Sequence, residues 1–205
     1  EVTKLSLLLK VLEGENEETV GKQLSLFHER ALPNLGQNIK CGNSLIGNDF
    51  YAGQQASFLD GEEQRRINAF DWEREFAGVF ASSGGFDVVV GNPPYIRIQA
   101  LKEWAPREVE FYKQRYLSAS KGNYDIYVVF VEKGLSLLNS NGRMGYILPH
   151  KFFNAQYGEA LRGILATGKH LAKAVHFGDQ QVFESATTYT CLMFLDKGGN
   201  EEFEF

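Results

Sequence analysis

Asn92-Pro93-Pro94-Tyr95 places a carboxamide, a conformationally fixed carbonyl and an aromatic ring side by side. An exocyclic amino group on a base is a poor nucleophile, because its lone pair is delocalised into the ring. Two acceptors aimed at its two hydrogens would draw the nitrogen towards tetrahedral geometry and free that lone pair to take a methyl group. The side-chain oxygen of Asn92 is one such acceptor, and the backbone carbonyl of Pro93 can be the other. Proline fixes φ at Pro93 and Pro94, so both oxygens stand in place before a substrate arrives. Tyr95 supplies a flat face on which a base removed from its duplex can stack. A Pro-Pro turn with Tyr95 as packing is the plainer reading of the same residues.

The element that must position this corner is the run Phe86-Asp87-Val88-Val89-Val90. Three successive valines after an aromatic predict a strand buried on both faces, as in a parallel sheet covered by helices. Gly91 ends it, and the two prolines stop a ladder or a helix from continuing. The corner then lies at the carboxyl end of a central strand, where open α/β sheets bind their ligands.

N-P-P-Y after a hydrophobic strand resembles the catalytic motif of adenine-N6 DNA methyltransferases, in particular the type IIG restriction–modification and phage-defence branch. The resemblance implies that Asn92 and Pro93 hold the target amino group of a flipped adenine and that Tyr95 stacks on it. It implies S-adenosylmethionine as cofactor, double-stranded DNA as partner, and an open class I methyltransferase-like (Rossmann-like) α/β sheet, mostly parallel, with an antiparallel last strand. The family's strand order is 3-2-1-4-5-7-6, and residues 86–91 correspond to the fourth strand.

Other site residues come from the same resemblance. Ile39 to Cys41 reads as a short strand, the family's third, and Asn43 with Ser44 follows where the family contacts the adenine ring of the cofactor. Ile126 and Phe130, on a helix opened by Lys121–Tyr127 and stopped at Asn141-Gly142, have the spacing of residues lining the adenosyl pocket. Phe183, in the Val182-Phe183-Glu184-Ser185-Ala186 connection, corresponds to the aromatic on the far side of the flipped base.

Hydrophobic spacing predicts further helices over Val2–Leu12, 62–68, Asp71–Phe80 and Tyr157–Thr167, and strands over 143–148, 171–177 and 187–195. Trp72 and Phe76 at helical spacing read as core. Arg97, Lys102, Arg107, Lys113 and Arg115, diluted by three glutamates, read equally as a solvated helical lid or a phosphate-contacting surface.

Across 205 residues the formal net charge is −5, against a free-standing DNA binder. No apolar run approaches a membrane span, and no signal peptide is visible. Cys41 and Cys191 lie far apart and the four histidines are scattered, so no metal site is expected and a reducing bacterial or archaeal cytoplasm is the default. The expected organisation is one partial methyltransferase domain, with residues 1–85 a residual cofactor-side part and 86–205 the catalytic part.

A Gly-rich turn and an acidic strand end for the ribose hydroxyls are not seen, nor the family's first two strands; these are expected upstream of Glu1. The chain by itself is then expected to be inactive and to expose the edge of Val88–Val90, through which two copies could associate or the 2–12 and 39–41 segments could fold back. A protein-glutamine or RNA amino-methyltransferase, and a non-catalytic DNA-binding module, remain open as alternatives.

Overall fold

The computed structural model describes residues 2–12, 35–52, 61–178, 180, 182 and 189–205. It forms two compact units, residues 1–42 and 43–205. The first contains helix α1 (Val2–Leu12), with Val2, Leu5, Leu7 and Leu9 all exposed. Residues 39–41 carry no strand, contrary to the sequence expectation. Strand-like pairing falls instead on Asn43, whose amide donates to the Asn68 carbonyl at 2.7 Å beside a bridge to Ala69.

The second unit is built on a four-stranded sheet: β1 (Phe86–Gly91), β2 (Leu138–Pro149), β3 (Leu171–His176) and β4 (Thr190–Asp196), in the order β1-β2-β4-β3. β1 and β2 are parallel, and β4 runs antiparallel between β2 and β3. This is the 4-5-7-6 half of the expected sheet. β1 is its edge strand, and that placement corrects the expectation of burial on both faces: Val88 is 61% and Val90 78% exposed. With a neighbour on one side only, β1 keeps its Val89–Gly91 face partly covered and leaves the other to solvent.

Helix α7 (Tyr127–Leu137) covers the sheet and is its most apolar partner. Tyr127, Val128, Val129 and Val131 are fully buried. Gly134 lets the helix sit flush, since a Cβ there would lie 2.5 Å from Met144 Sδ and 2.9 Å from Tyr146 Oη. Truncating a buried aliphatic such as Leu148 in this layer costs about 2–5 kcal/mol.

α7 ends at Leu137, and β2 begins at the next residue, so Asn141-Gly142 is not the helix stop it resembles. Phe86 pairs with Leu138 but Val88 with Arg143, so the extra residues bulge out of β2. Asn139 stabilises the bulge, accepting from the Asn141 amide at 3.1 Å and donating to Asp87 at 2.7 Å.

Around the sheet lie α2 (Gly61–Ile67), α3 (Trp72–Glu75), α4 (Ala77–Ser83), α5 (Ile98–Trp104), α6 (Pro106–Arg115) and α8 (Glu159–Thr167). Asp71 caps α3 as expected, its side chain accepting from the Arg74 amide at 3.1 Å. The single helix expected over Asp71–Phe80 breaks at Phe76. The Phe76 ring stacks on Trp72 at 5.8 Å and meets Phe86 edge-on at 5.3 Å, and this aromatic contact outweighs continuous helix.

Burial pushes the Tyr112 and Tyr146 hydroxyls from 10.0 up to about 12, and the Cys191 thiol from 9.0 to about 12. A folded pKa raised above the unfolded one gives stability that is complete below the unfolded value and is lost as pH rises through the folded one. The melting temperature is therefore expected to hold to about pH 8 and to fall progressively towards about pH 11. Cys191 alone would withdraw about 2 kcal/mol near pH 10.5. Thermal melts followed by circular dichroism across that range check this, and a flat profile would contradict it.

Candidate active site

The Asn92–Tyr95 corner leaves the carboxyl end of β1 and is tied down immediately beyond it. Arg97 bridges Asp125 in an antiparallel pair. The Ile126 amide donates to the Ile96 carbonyl at 2.9 Å, and the Ile98 amide donates to Tyr124 at 2.9 Å. The Tyr95 hydroxyl donates to the Ile147 carbonyl of β2 at 3.1 Å, which fixes the ring against the next strand. Burial raises the pKa of this hydroxyl, and Cys191 adds to the effect. Pro93 is buried, whereas Asn92 is exposed and its side chain makes no hydrogen bond to a described residue.

Asn92, Pro93 and Pro94 line a cavity of about 250 Å³. Its walls include Val89 to Gly91 of β1, Trp72, Ser44, Tyr146 and one face of α7. That face consists of Phe130, Lys133, Gly134 and Leu137, at i, i+3, i+4 and i+7. Gly134 lets α7 close against Met144 and Tyr146 at this wall, and Tyr146 meets Gly91 so closely that a Cβ there would lie 3.0 Å from its ring. Burial lowers the pKa of Lys133, and Arg115 lowers it further.

Of the residues singled out from sequence, the cavity brings together Ser44, Asn92, Pro93 and Phe130. Tyr95 lies next in the chain but is not part of the cavity lining. Ile126 is buried in the core, below the wall that Phe130 forms. The Asn43 carboxamide is engaged within the fold: its oxygen accepts from the Leu45 amide at 3.2 Å, and its side chain hydrogen-bonds Tyr112. Phe183 lies outside the described residues. Lys133 and Gly134 were not anticipated; their spacing from Phe130 along α7 was the available signal. Trp72, expected to be core, is half-buried and forms a wall of the cavity, its indole N–H held by the Ser44 carbonyl at 3.0 Å.

The apolar walls, Phe130, Trp72, Leu137 and Val89, suit the purine ring of a nucleoside cofactor. No acidic side chain stands among the lining residues to hold ribose hydroxyls. Among the described residues no group of His, Cys, Asp or Glu could hold a metal ion, and no helix is long and apolar enough to cross a membrane.

A carboxamide and a proline carbonyl at the carboxyl end of a strand, beside a purine-sized cavity, in a sheet with one antiparallel strand inserted, define a class I methyltransferase-like α/β domain. Comparison with known proteins is more specific. The chain belongs to the Eco57I restriction-modification methylase family, which matches residues 1–183. The type II restriction enzyme and methyltransferase RM.Eco57I of Escherichia coli is 40% identical over 199 residues, 97% of this chain and 18% of the relative. The type II methyltransferase M.PaeR7I of Pseudomonas aeruginosa is 34% identical over 117 residues, 57% of this chain and 20% of the relative. The chain thus spans a fifth or less of the length of these two relatives. The solved structure of the type IIG restriction endonuclease BpuSI aligns with a TM-score of 0.41 and 23% identity, over 55% of this chain and 14% of that one.

With an apolar ring pocket but no carboxylate in its lining, the 205-residue chain is expected to bind S-adenosylmethionine only weakly. Isothermal calorimetry giving a micromolar dissociation constant for this chain would show that the cofactor site is placed wrongly.

Proposed function

We propose that this chain carries the chemical corner of a DNA methyltransferase that moves a methyl group from S-adenosylmethionine to the exocyclic amino group of a flipped adenine. The observation that carries this reading is the solvent-accessible carboxamide of Asn92, with no hydrogen bond to a described residue, beside the buried Pro93 on the rim of a cavity walled by Phe130 and Ser44. Membership of a restriction-modification methylase family supports DNA as the substrate.

Asn92 Oδ1 and the Pro93 carbonyl each accept one hydrogen of the target amino group, drawing the nitrogen out of conjugation. Tyr95, its hydroxyl held by Ile147, offers its ring to the flipped base, and the family resemblance assigns Phe183 to the base's other face. S-adenosylmethionine, when bound, supplies an electrophilic methyl on its sulfonium. Phe130 and Ser44 hold its adenine ring at the cavity wall, with Asn43 and Ile126 supporting them from behind. Once methylated, the nitrogen sheds one of its two hydrogens to solvent, and the acceptor facing that hydrogen steers its departure. The chain alone is inactive, because the remaining contacts to the donor come from elsewhere in the enzyme.

The exposed edge of β1 belongs to the same proposal. Val88 and Val90 are exposed on an apolar strand that ends the described sheet, and in isolation two copies of the chain pair along that edge. Light scattering on the 205-residue chain should give a dimer that Val90→Lys dissociates; a monomer at all concentrations would refute the pairing.

The central test is Asn92→Ala in the full-length protein. Loss of one of two preorganised acceptors should lower the methylation rate on the order of a hundredfold, as when one oxyanion-hole donor is removed. The melting temperature should stay within about 2 °C of the parent, because the side chain fills no core. Near-parental methylation by the folded variant would sink the mechanism.

A further inference from the structure

Part of the positive charge in residues 61–205 is neutralised by ion pairs among the described residues. Arg66 pairs with Glu108 at 2.6 Å, Arg107 with Glu63 at 2.9 Å, and Lys121 with Glu159 at 3.1 Å. Arg97 and Lys151 stand outside these pairs: both are exposed, and neither forms an ion pair with a described residue. Arg65, Arg74 and Lys102 also lack an ion pair among the described residues, but they sit within the helices α2, α3 and α5. Lys133 lines the cavity from α7, and Arg162 and Lys197 donate to backbone carbonyls. Arg97 and Lys151 follow the carboxyl ends of β1 and β2, two parallel neighbours, and so share the sheet edge that carries Asn92–Tyr95.

A hydrogen-bond chain links the two segments that bear them. Tyr127 Oη takes a hydrogen bond from the Phe152 backbone, next to Lys151. It lies 2.9 Å from Tyr157 Oη, which in turn donates to Asp125 Oδ2 at 3.2 Å. Asp125 is the residue bridged to Arg97. Burial pushes the Tyr157 hydroxyl up to about 12, so the chain of neutral phenols persists across the working pH range.

The 150–158 loop is further braced by Arg162 Nη1, which donates to the Phe152 carbonyl at 2.6 Å and the Ala155 carbonyl at 2.9 Å. Gly158 packs so tightly against the Phe152 carbonyl that no side chain fits. A loop that only connected β2 to α8 would need none of these constraints.

We propose that Arg97 and Lys151 contact the phosphodiester backbone of the target strand on either side of the flipped nucleotide, fixing its register against the Asn92–Tyr95 corner. Contacts of this kind position the strand without reading sequence. The inference rests on the DNA methyltransferase reading above, and the test separates the two.

Dissociation constants for cognate and unrelated duplexes are measured over a salt series with the full-length protein, Arg97→Gln, Lys151→Gln and, as a control of equal charge change, Lys102→Gln. Removing one phosphate-binding cation should reduce the slope of log K against log salt by about 0.9 and weaken both duplexes alike. The expected result is a reduced slope for Arg97→Gln and Lys151→Gln, an unchanged slope for Lys102→Gln, and a slope restored in Arg97→Lys.

Equal slopes in the parent and all three glutamine variants would overturn the proposal, as would an equal fall in all three, which would mark a net-charge effect. In both cases the DNA reading would stand, provided the parent binds and methylates DNA. A parent that neither binds nor methylates DNA would remove that reading and this inference with it.

Discussion

The short antiparallel pairing of Ile96–Ile98 with Tyr124–Ile126 is the constraint on which the rest of the site depends. It ties the end of the Asn92–Tyr95 corner to the residues that lead into α7, the helix whose first turn presents Phe130 to the cavity. The Asn92–Tyr95 corner and the Phe130 wall of the cavity thus share one anchor. The bonds themselves are ordinary, each worth about 1 kcal/mol net. Their effect is larger because the prolines have already removed much of the freedom the loop would lose on closing.

Charge is organised to the same end. Surface acids hold part of the cations in pairs, while Arg97 and Lys151, beyond the carboxyl ends of β1 and β2, form no ion pair with a described residue. Lys133, half-sunk and made less basic by burial, lines the same cavity as Asn92. A small acidic domain can in this way present a locally positive edge while its net charge remains negative.

The corner was legible in the sequence because its signals are local: a valine run, a terminating glycine, and two prolines that allow few conformations. The 4-5-7-6 order came from family resemblance and was met by β1-β2-β4-β3. What failed depended on neighbours. Val88 and Val90 have the composition of an interior strand, but composition cannot say how many strands flank it, and here there is one. Ile39–Cys41 has strand-like residues and no ladder to join. Asn141-Gly142 carries a helix-stop signal that the fold uses as a bulge, because β2 must reach its pairing with β1 at once. Phe130 came from family resemblance, and Lys133 and Gly134, one turn further along the same helix face, line the same cavity without having been singled out.

The bulge at 139–142 separates two lengths that would otherwise be locked together. Upstream of it the chain must leave a helix packed flush on the sheet; downstream, Met144, Gly145 and Tyr146 must meet Val89, Val90 and Gly91 in fixed register. Because the surplus residues loop outward, a deletion or insertion among them would change the slack and leave both ends where they are. This is the point in the domain where chain length could drift during divergence without disturbing the register beneath the cavity, and where a reporter or affinity sequence could be spliced in at least cost to the site.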